Sequence, residues 1–240
     1  MKSQAALIGI TCAVFTALLA DPLSGSASAA KTKGFEIMLR PAYGSAGSKS
    51  PITKDPAIAT TTDLGKVFTG DASPYGGGFV GEASAGYRFL PFMSVGVAGG
   101  IRSASASSVD DGTTDLKRSA WTVGPYVRAY LFMVPVVEPW ISIGVAYMSD
   151  EQTYKRIGID WSLQHHGVAV PITVGVDYPI IDMLSVGPSF QYTTVAQAGG
   201  CLKGSAGGTS QSYCTDANPK VPKTDGYSVW SIGVNLRLTL

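Results

Sequence analysis

Eight stretches of this chain alternate, residue by residue, between large apolar side chains and small or polar ones, and that rhythm restricts the fold more than any other feature. In the first, Phe35, Ile37, Leu39 and Tyr43 oppose Glu36, Met38, Arg40 and Ala42. In the last, Trp230, Ile232, Val234, Leu236, Leu238 and Leu240 oppose Ser231, Gly233, Asn235, Arg237 and Thr239. The same parity runs through Phe79–Phe89, Met93–Arg102, Trp121–Leu131, Ile141–Tyr147, Val168–Tyr178 and Leu184–Tyr192. Successive side chains of a strand point to opposite faces, so a period of two is the signature of β-structure with two unlike faces. Each stretch approaches or exceeds the roughly 10 residues with which a tilted strand crosses a bilayer. An even number lets the sheet close, leaving no unpaired backbone edge.

The connections alternate as well. Leu90–Phe92, Met133–Pro139 and Pro179–Met183 are short, whereas Ser45–Pro74, Ser103–Lys117, Ser149–His166 and Ala196–Asp225 are long and polar. Short turns at one end and long loops at the other suit an up-and-down barrel whose loops project into water.

A soluble, lipocalin-like barrel also alternates, but it turns its charges outward. Here the polar parity is mostly Gly, Ser, Ala and Thr with a few Arg and Glu, which suits a crowded interior. Only 15% of residues are charged, against about 25% in soluble domains. Aromatics gather toward the strand ends, with Phe35, Phe89, Trp140 and Tyr178 on the short-turn side and Tyr43, Trp121, Tyr147 and Tyr192 on the other, as two interfacial belts. The expected fold class is therefore all-β, an eight-stranded antiparallel transmembrane barrel. Ile143 and Val174 should then face lipid. Gly144 and Gly175 should face the interior, where serine would be mild.

The amino terminus reads as an export signal. Lys2 precedes the apolar run Ala5–Ala20, and Ala27-Ser28-Ala29-Ala30 fits a small-residue cleavage site. The expected organisation is a cleaved segment 1–29 followed by a barrel over 30–240; a retained anchor is the alternative. With Cys12 in the signal, Cys201 and Cys214 remain. In an exported chain they are expected to pair, closing a loop whose cross-link is worth about 3 kcal/mol in the chain-entropy model. A net charge of +1 with no basic run gives no electrostatic case for nucleic acid.

On these strands and loops the chain resembles the small eight-stranded outer-membrane β-barrels of the OmpA-domain, OmpX and OmpW types, over Gly34–Leu240. The resemblance implies a location in the outer membrane among lipid and lipopolysaccharide, insertion by the barrel-assembly machinery, a monomer and no cofactor. It also implies loops open to an extracellular ligand. Tyr227–Leu240 resembles the family's terminal assembly signal, although it ends on Leu240 rather than on an aromatic residue.

Parity turns Glu36, Arg40, Glu82, Arg88, Arg102, Arg128, Asp177 and Arg237 inward. Glu36 is placed to meet Arg88 and Arg237, and Glu82 to meet Arg40. Two readings stay open: a self-neutralising plug, or a narrow pore for ions or small apolar solutes gated by the Glu82–Arg40 pair. His165 and His166, near Asp160 and Ser162, evoke a hydrolase or a weak metal site. Adjacent strand residues face opposite ways, however, and two histidines lack a third ligand. They are expected at the surface, with no catalytic or metal role. Gly76–Gly78, Gly99-Gly100 and Gly207-Gly208 precede no helix, as a phosphate loop would require. Asp110-Asp111-Gly112 reads as a loop-tip turn. The functional expectation is a structural or surface-interaction barrel working through its loops, with the channel as alternative and a lipid-modifying enzyme as a remote one.

Overall fold

A computed structural model describes residues 33–45, 77–107, 115–131, 137–156, 159–206, 209–214 and 226–240. The signal segment, Asp110-Asp111-Gly112, Gly76, Gly207-Gly208 and nearly all of the first long loop lie outside the described residues. The strands are β1 (Gly34–Ser45), β2 (Gly77–Leu90), β3 (Met93–Ser107), β4 (Asp115–Tyr130), β5 (Glu138–Gly144), β6 (Ala146–Arg156), β7 (Ile159–Ile181), β8 (Leu184–Ala206), β9 (Thr209–Cys214) and β10 (Tyr227–Thr239).

These strands make an eight-stave barrel. β5 and β6 are two halves of one stave, and β9 pairs only with β8, outside the barrel. Every neighbour is antiparallel, and the ring closes where β1 meets β10 with Leu39 opposite Leu236. The break at Val145 has a local cause. β4 opposes β5 up to Tyr126↔Gly144 and β6 from Val123↔Tyr147, which leaves Pro125 at the gap. Pro171 occupies the matching place on β7, between Ile172↔Ile143 and Ala169↔Ala146. Neither proline has an N–H to give the ladder. Val145 N–H donates to the Pro125 carbonyl at 3.1 Å across the gap.

The two faces are inverted relative to a soluble protein. Ile143 is 53% exposed while Glu36 is 1% exposed. Ile37, Val97, Ile101, Val127, Val174 and Leu236 are exposed in the same way around the barrel. A continuous apolar band far exceeds what a soluble monomer shows to water, and it matches a lipid-facing wall. Aromatic belts border it: Phe35 stacks edge-on to Tyr87 at 5.1 Å at the short-turn end, and Trp121 lies 5.4 Å from Tyr147 at the long-loop end.

Two sequence expectations fail here. Trp140 does not belong to a belt; it is 2% exposed and points into the barrel. Parity counted back from Ile141 demands this, and Gly175 makes the room, because a Cβ there would lie 2.5 Å from the Trp140 ring. Serine at Gly175 is therefore a clash, not a mild change. Gly144 is tight too, with the Pro125 carbonyl oxygen 3.0 Å from its would-be Cβ. Second, Ser149–His166 and much of Ala196–Asp225 are not irregular loops. β6 and β7 continue as a ribbon to Arg156↔Ile159, and β8 folds back on β9. Backbone pairing sustains these ribbons even where the side chains lack an apolar face.

Candidate functional site in the barrel interior

All eight arginine and carboxylate positions assigned inward by parity line the interior, in three layers. The layer at the short-turn end is the densest. Tyr130 donates its hydroxyl to Glu36, 2.7 and 2.6 Å from the two carboxylate oxygens. Arg88 and Arg128 each approach Glu36 at 3.8 Å. Arg88 also donates to Glu138 at 2.5 Å and to the Pro91 carbonyl at 2.6 Å, with its guanidinium 3.6 Å above the Tyr130 ring. Arg237 does not go to Glu36 as expected: it donates to Glu138 and lies 3.5 Å from Asp177. Three arginines thus face three carboxylates in a volume closed to water, where each unpaired charge would be very costly.

Glu138 was missed in the sequence because it sits beside Pro139 in what reads as a turn. Parity carried back through Trp140 would have found it.

Arg40 holds the middle layer. Its Nε donates to Ser189 Oγ at 2.8 Å, and its Nη2 donates to Ser231 Oγ and the Ser231 carbonyl at 3.0 and 3.2 Å. Its Nη1 reaches Gln191 Oε1 at 3.5 Å. Gln191 in turn donates from Nε2 to Glu82 at 2.7 Å. The expected Glu82–Arg40 contact is therefore indirect. The two are register partners on adjacent strands, but Arg40 spans the interior to β8 and β10, and Gln191 stands between the charges.

Above this lies an apolar layer that includes Met148, Ala169, Val195 and Val229. At the long-loop end, Arg118 Nε donates to both oxygens of Asp150 at 3.0 Å, and Tyr227 donates to Asp150 at 2.8 Å while its ring lies 4.8 Å from the guanidinium. Neither Arg118 nor Asp150 was singled out in the sequence, because Asp150 fell in a segment read as loop and Arg118 in the junction between the loop ending at Lys117 and the alternation starting at Trp121. Arg102, half-buried nearby, donates to the Ser45 carbonyl at 3.2 Å.

His165 is buried at 3% exposure rather than at the surface, opposite Asp150 in the register, while His166 is half-buried. A register shift at His166/Gly167 disturbs the alternation there. Ser162 donates to Glu151 at 2.9 Å in an exposed setting, apart from His165. No hydrolase geometry forms among these described side chains. Gly77-Gly78 and Gly99-Gly100 lie within strands, not phosphate loops. Among the described residues no group of three or more His, Cys, Asp or Glu could hold a metal.

A cavity of about 70 Å³ lies at mid-height, between strands that carry Glu82, Arg102, Tyr126, Arg128, Met148 and Gln191.

A family model described as "Outer membrane protein beta-barrel domain" matches residues 11–237. No curated protein matches in sequence. Among solved structures, a major outer membrane protein from Thermus thermophilus is similar at TM-score 0.53 and 15% identity, over 87% of this chain and 100% of that one. The outer membrane protein OprG from Pseudomonas aeruginosa is similar at TM-score 0.50 and 12% identity, over 88% and 99%. Neisserial surface protein A gives TM-score 0.48 and 15% identity, over 88% and 100%. At these identities the likeness is one of fold.

Proposed function

This chain belongs to the outer membrane protein β-barrel domain family, and from that premise we propose that it is a closed, non-conducting anchor whose work is done by its long-loop end outside the cell. The role is structural or adhesive, not catalytic: the barrel displays ribbons and loops to an extracellular ligand while lipid and lipopolysaccharide surround its wall. The observation that carries this reading is the filled interior. Arg40 is fixed by four hydrogen bonds across the lumen, between a charged layer on one side and an apolar one on the other. An eight-stranded barrel has room for little more than its own side chains.

The lengths of β7 and β8 add support. Each has 23 residues, roughly twice the 9–11 that a crossing needs, so their outer halves stand clear of the bilayer. Planar-bilayer recordings of the purified, refolded barrel test the reading. Wild type and Glu82→Ala are both expected to show no steady unitary conductance. Discrete steps that Glu82→Ala enlarges would replace the anchor with the narrow-channel alternative.

The outer ribbons need their own reinforcement, and the backbone register sets Cys201 directly opposite Cys214 on β8 and β9. Directly opposed residues on antiparallel strands fall within disulfide reach. A Cys201–Cys214 disulfide is therefore expected to staple this hairpin. A non-reduced digest should contain the linked peptide pair by mass spectrometry. Alkylation of both thiols without reductant would exclude it.

A further inference from the structure

We propose that the outer hairpin of β8 and β9 is a flap that acid releases from β7, with the buried side chain of His165 as its latch. β10 pairs with β8 only as far as Tyr227↔Val195, and above that level the partner of β8 on this side is β9, a strand of the same hairpin. Among the described residues, the stretch of β8 from Gly199 to Ala206 is thus tied to the rest of the sheet through its ladder with β7 alone. At the base of that ladder the register steps from His166↔Gly199 to Gly167↔Gln197, which leaves Ala198 as an extra residue on β8. A bulge of this kind interrupts the ladder and bends the strand. A hinge is therefore built in where the hairpin meets the barrel.

His165 pairs with Gly200 just above this hinge, and its ring fills the place of a side chain there: a Cβ on Gly200 would lie 2.6 Å from Nδ1. The imidazole is 3% exposed, and neither of its nitrogens has a hydrogen-bond partner among the described residues. Charging such a ring in place would bury two unmet cationic donors. The groups around it give little help. On β6, Asp150 already accepts from Arg118 and from the Tyr227 hydroxyl of β10. Arg118 on β4 repels a further cation, His166 on β7 acts in the same sense, and Arg102 on β3 is another cation in this layer. β8 offers only Gly200. Burial, reinforced by Arg118 and His166 against the pull of Asp150, lowers His165 from the usual 6.5 to about 4. A released ring in water takes its proton near 6.5, and the closed one only near 4. Closure is therefore fully supported above pH 6.5 and is progressively lost as the pH falls from there toward 4.

Hydrogen exchange of the refolded barrel in lipid nanodiscs, followed by NMR and corrected for the intrinsic pH dependence, reads the flap directly. Between pH 7 and pH 5 the two proton affinities raise the opening constant about twentyfold. The amides bonded between β7 and β8 above Ala198 should lose protection by that factor, while those of the barrel half of β8 keep theirs. His165→Phe fills the same space without a titrating group and should abolish the loss. Asp150, Glu151 and His166 are common to both proteins, so the comparison isolates His165. If the phenylalanine ring does not fit beside Gly200, His165→Gln gives the same comparison. Unchanged protection of the ribbon down to pH 5, an equal loss in the variant, or a loss that runs through the whole of β8 would overturn the proposal.

Discussion

Arg237→Leu is expected to destabilise the barrel by about 3–5 kcal/mol, the cost of leaving buried charges without their partner. Arg237 is 4% exposed and serves two carboxylates at once, Glu138 through Nη2 and Asp177 through Nη1, with its guanidinium 5.2 Å from the Tyr130 ring. Leucine fills much of the volume but removes the guanidinium beside Asp177, itself fully buried, leaving the 3.4 Å bond from Asn235 to one oxygen. Arg88 would still hold one oxygen of Glu138, so Asp177 carries most of the penalty. The double variant Arg237→Leu/Asp177→Asn should therefore cost less than the sum of its parts, since a neutral amide removes the stranded charge. Reversible urea unfolding in lipid vesicles measures both. A loss below about 1 kcal/mol for Arg237→Leu would mean that water reaches this layer and screens the pair, as at a protein surface.

Arginine at the lipid wall is the second large effect. Ile143→Arg and Val174→Arg should each cost about 2–4 kcal/mol, the range for a midplane residue facing lipid. The two side chains are 53% and 43% exposed, on neighbouring staves and remote from the aromatic belts. A soluble barrel would lose stability from the same changes by burying the charge, so a second measurement identifies the solvent. Spin labels at 143 and 174 should be relaxed by lipid-soluble oxygen and not by a water-soluble nickel chelate. A label at Ser142, on the inner face of the same strand, should show weaker oxygen access. Nickel relaxation at 143 and 174 would remove the lipid wall.

The sequence by itself determined which side chains face in and which face out. Pleating makes that a matter of counting, so Glu36, Arg40, Arg88, Arg128, Asp177 and Arg237 were all legible as interior residues. The same count, carried one and three residues back from Ile141, also specifies Trp140 and Glu138. They were lost only because Pro139 and the neighbouring turn masked the start of β5. Strand number and closure were legible too, since each crossing has its own alternating stretch. The sequence did not determine the outer ribbons of β6 to β9, where polar side chains erase the two-face contrast while backbone hydrogen bonds continue.

Only the tertiary structure decided who pairs with whom. Arg40 bonds to Ser189, Gln191 and Ser231, on staves that come much later in the chain and meet it only after the barrel closes. The tilt and stagger of the staves set which residues of β8 and β10 arrive at its height. That is why Glu82, the register neighbour, reaches Arg40 only through Gln191. For the same reason Arg128 ends up between the rings of Trp140 and Tyr126, 4.7 and 5.0 Å away. Parity says which way a side chain points, and closure of the barrel determines what it meets there.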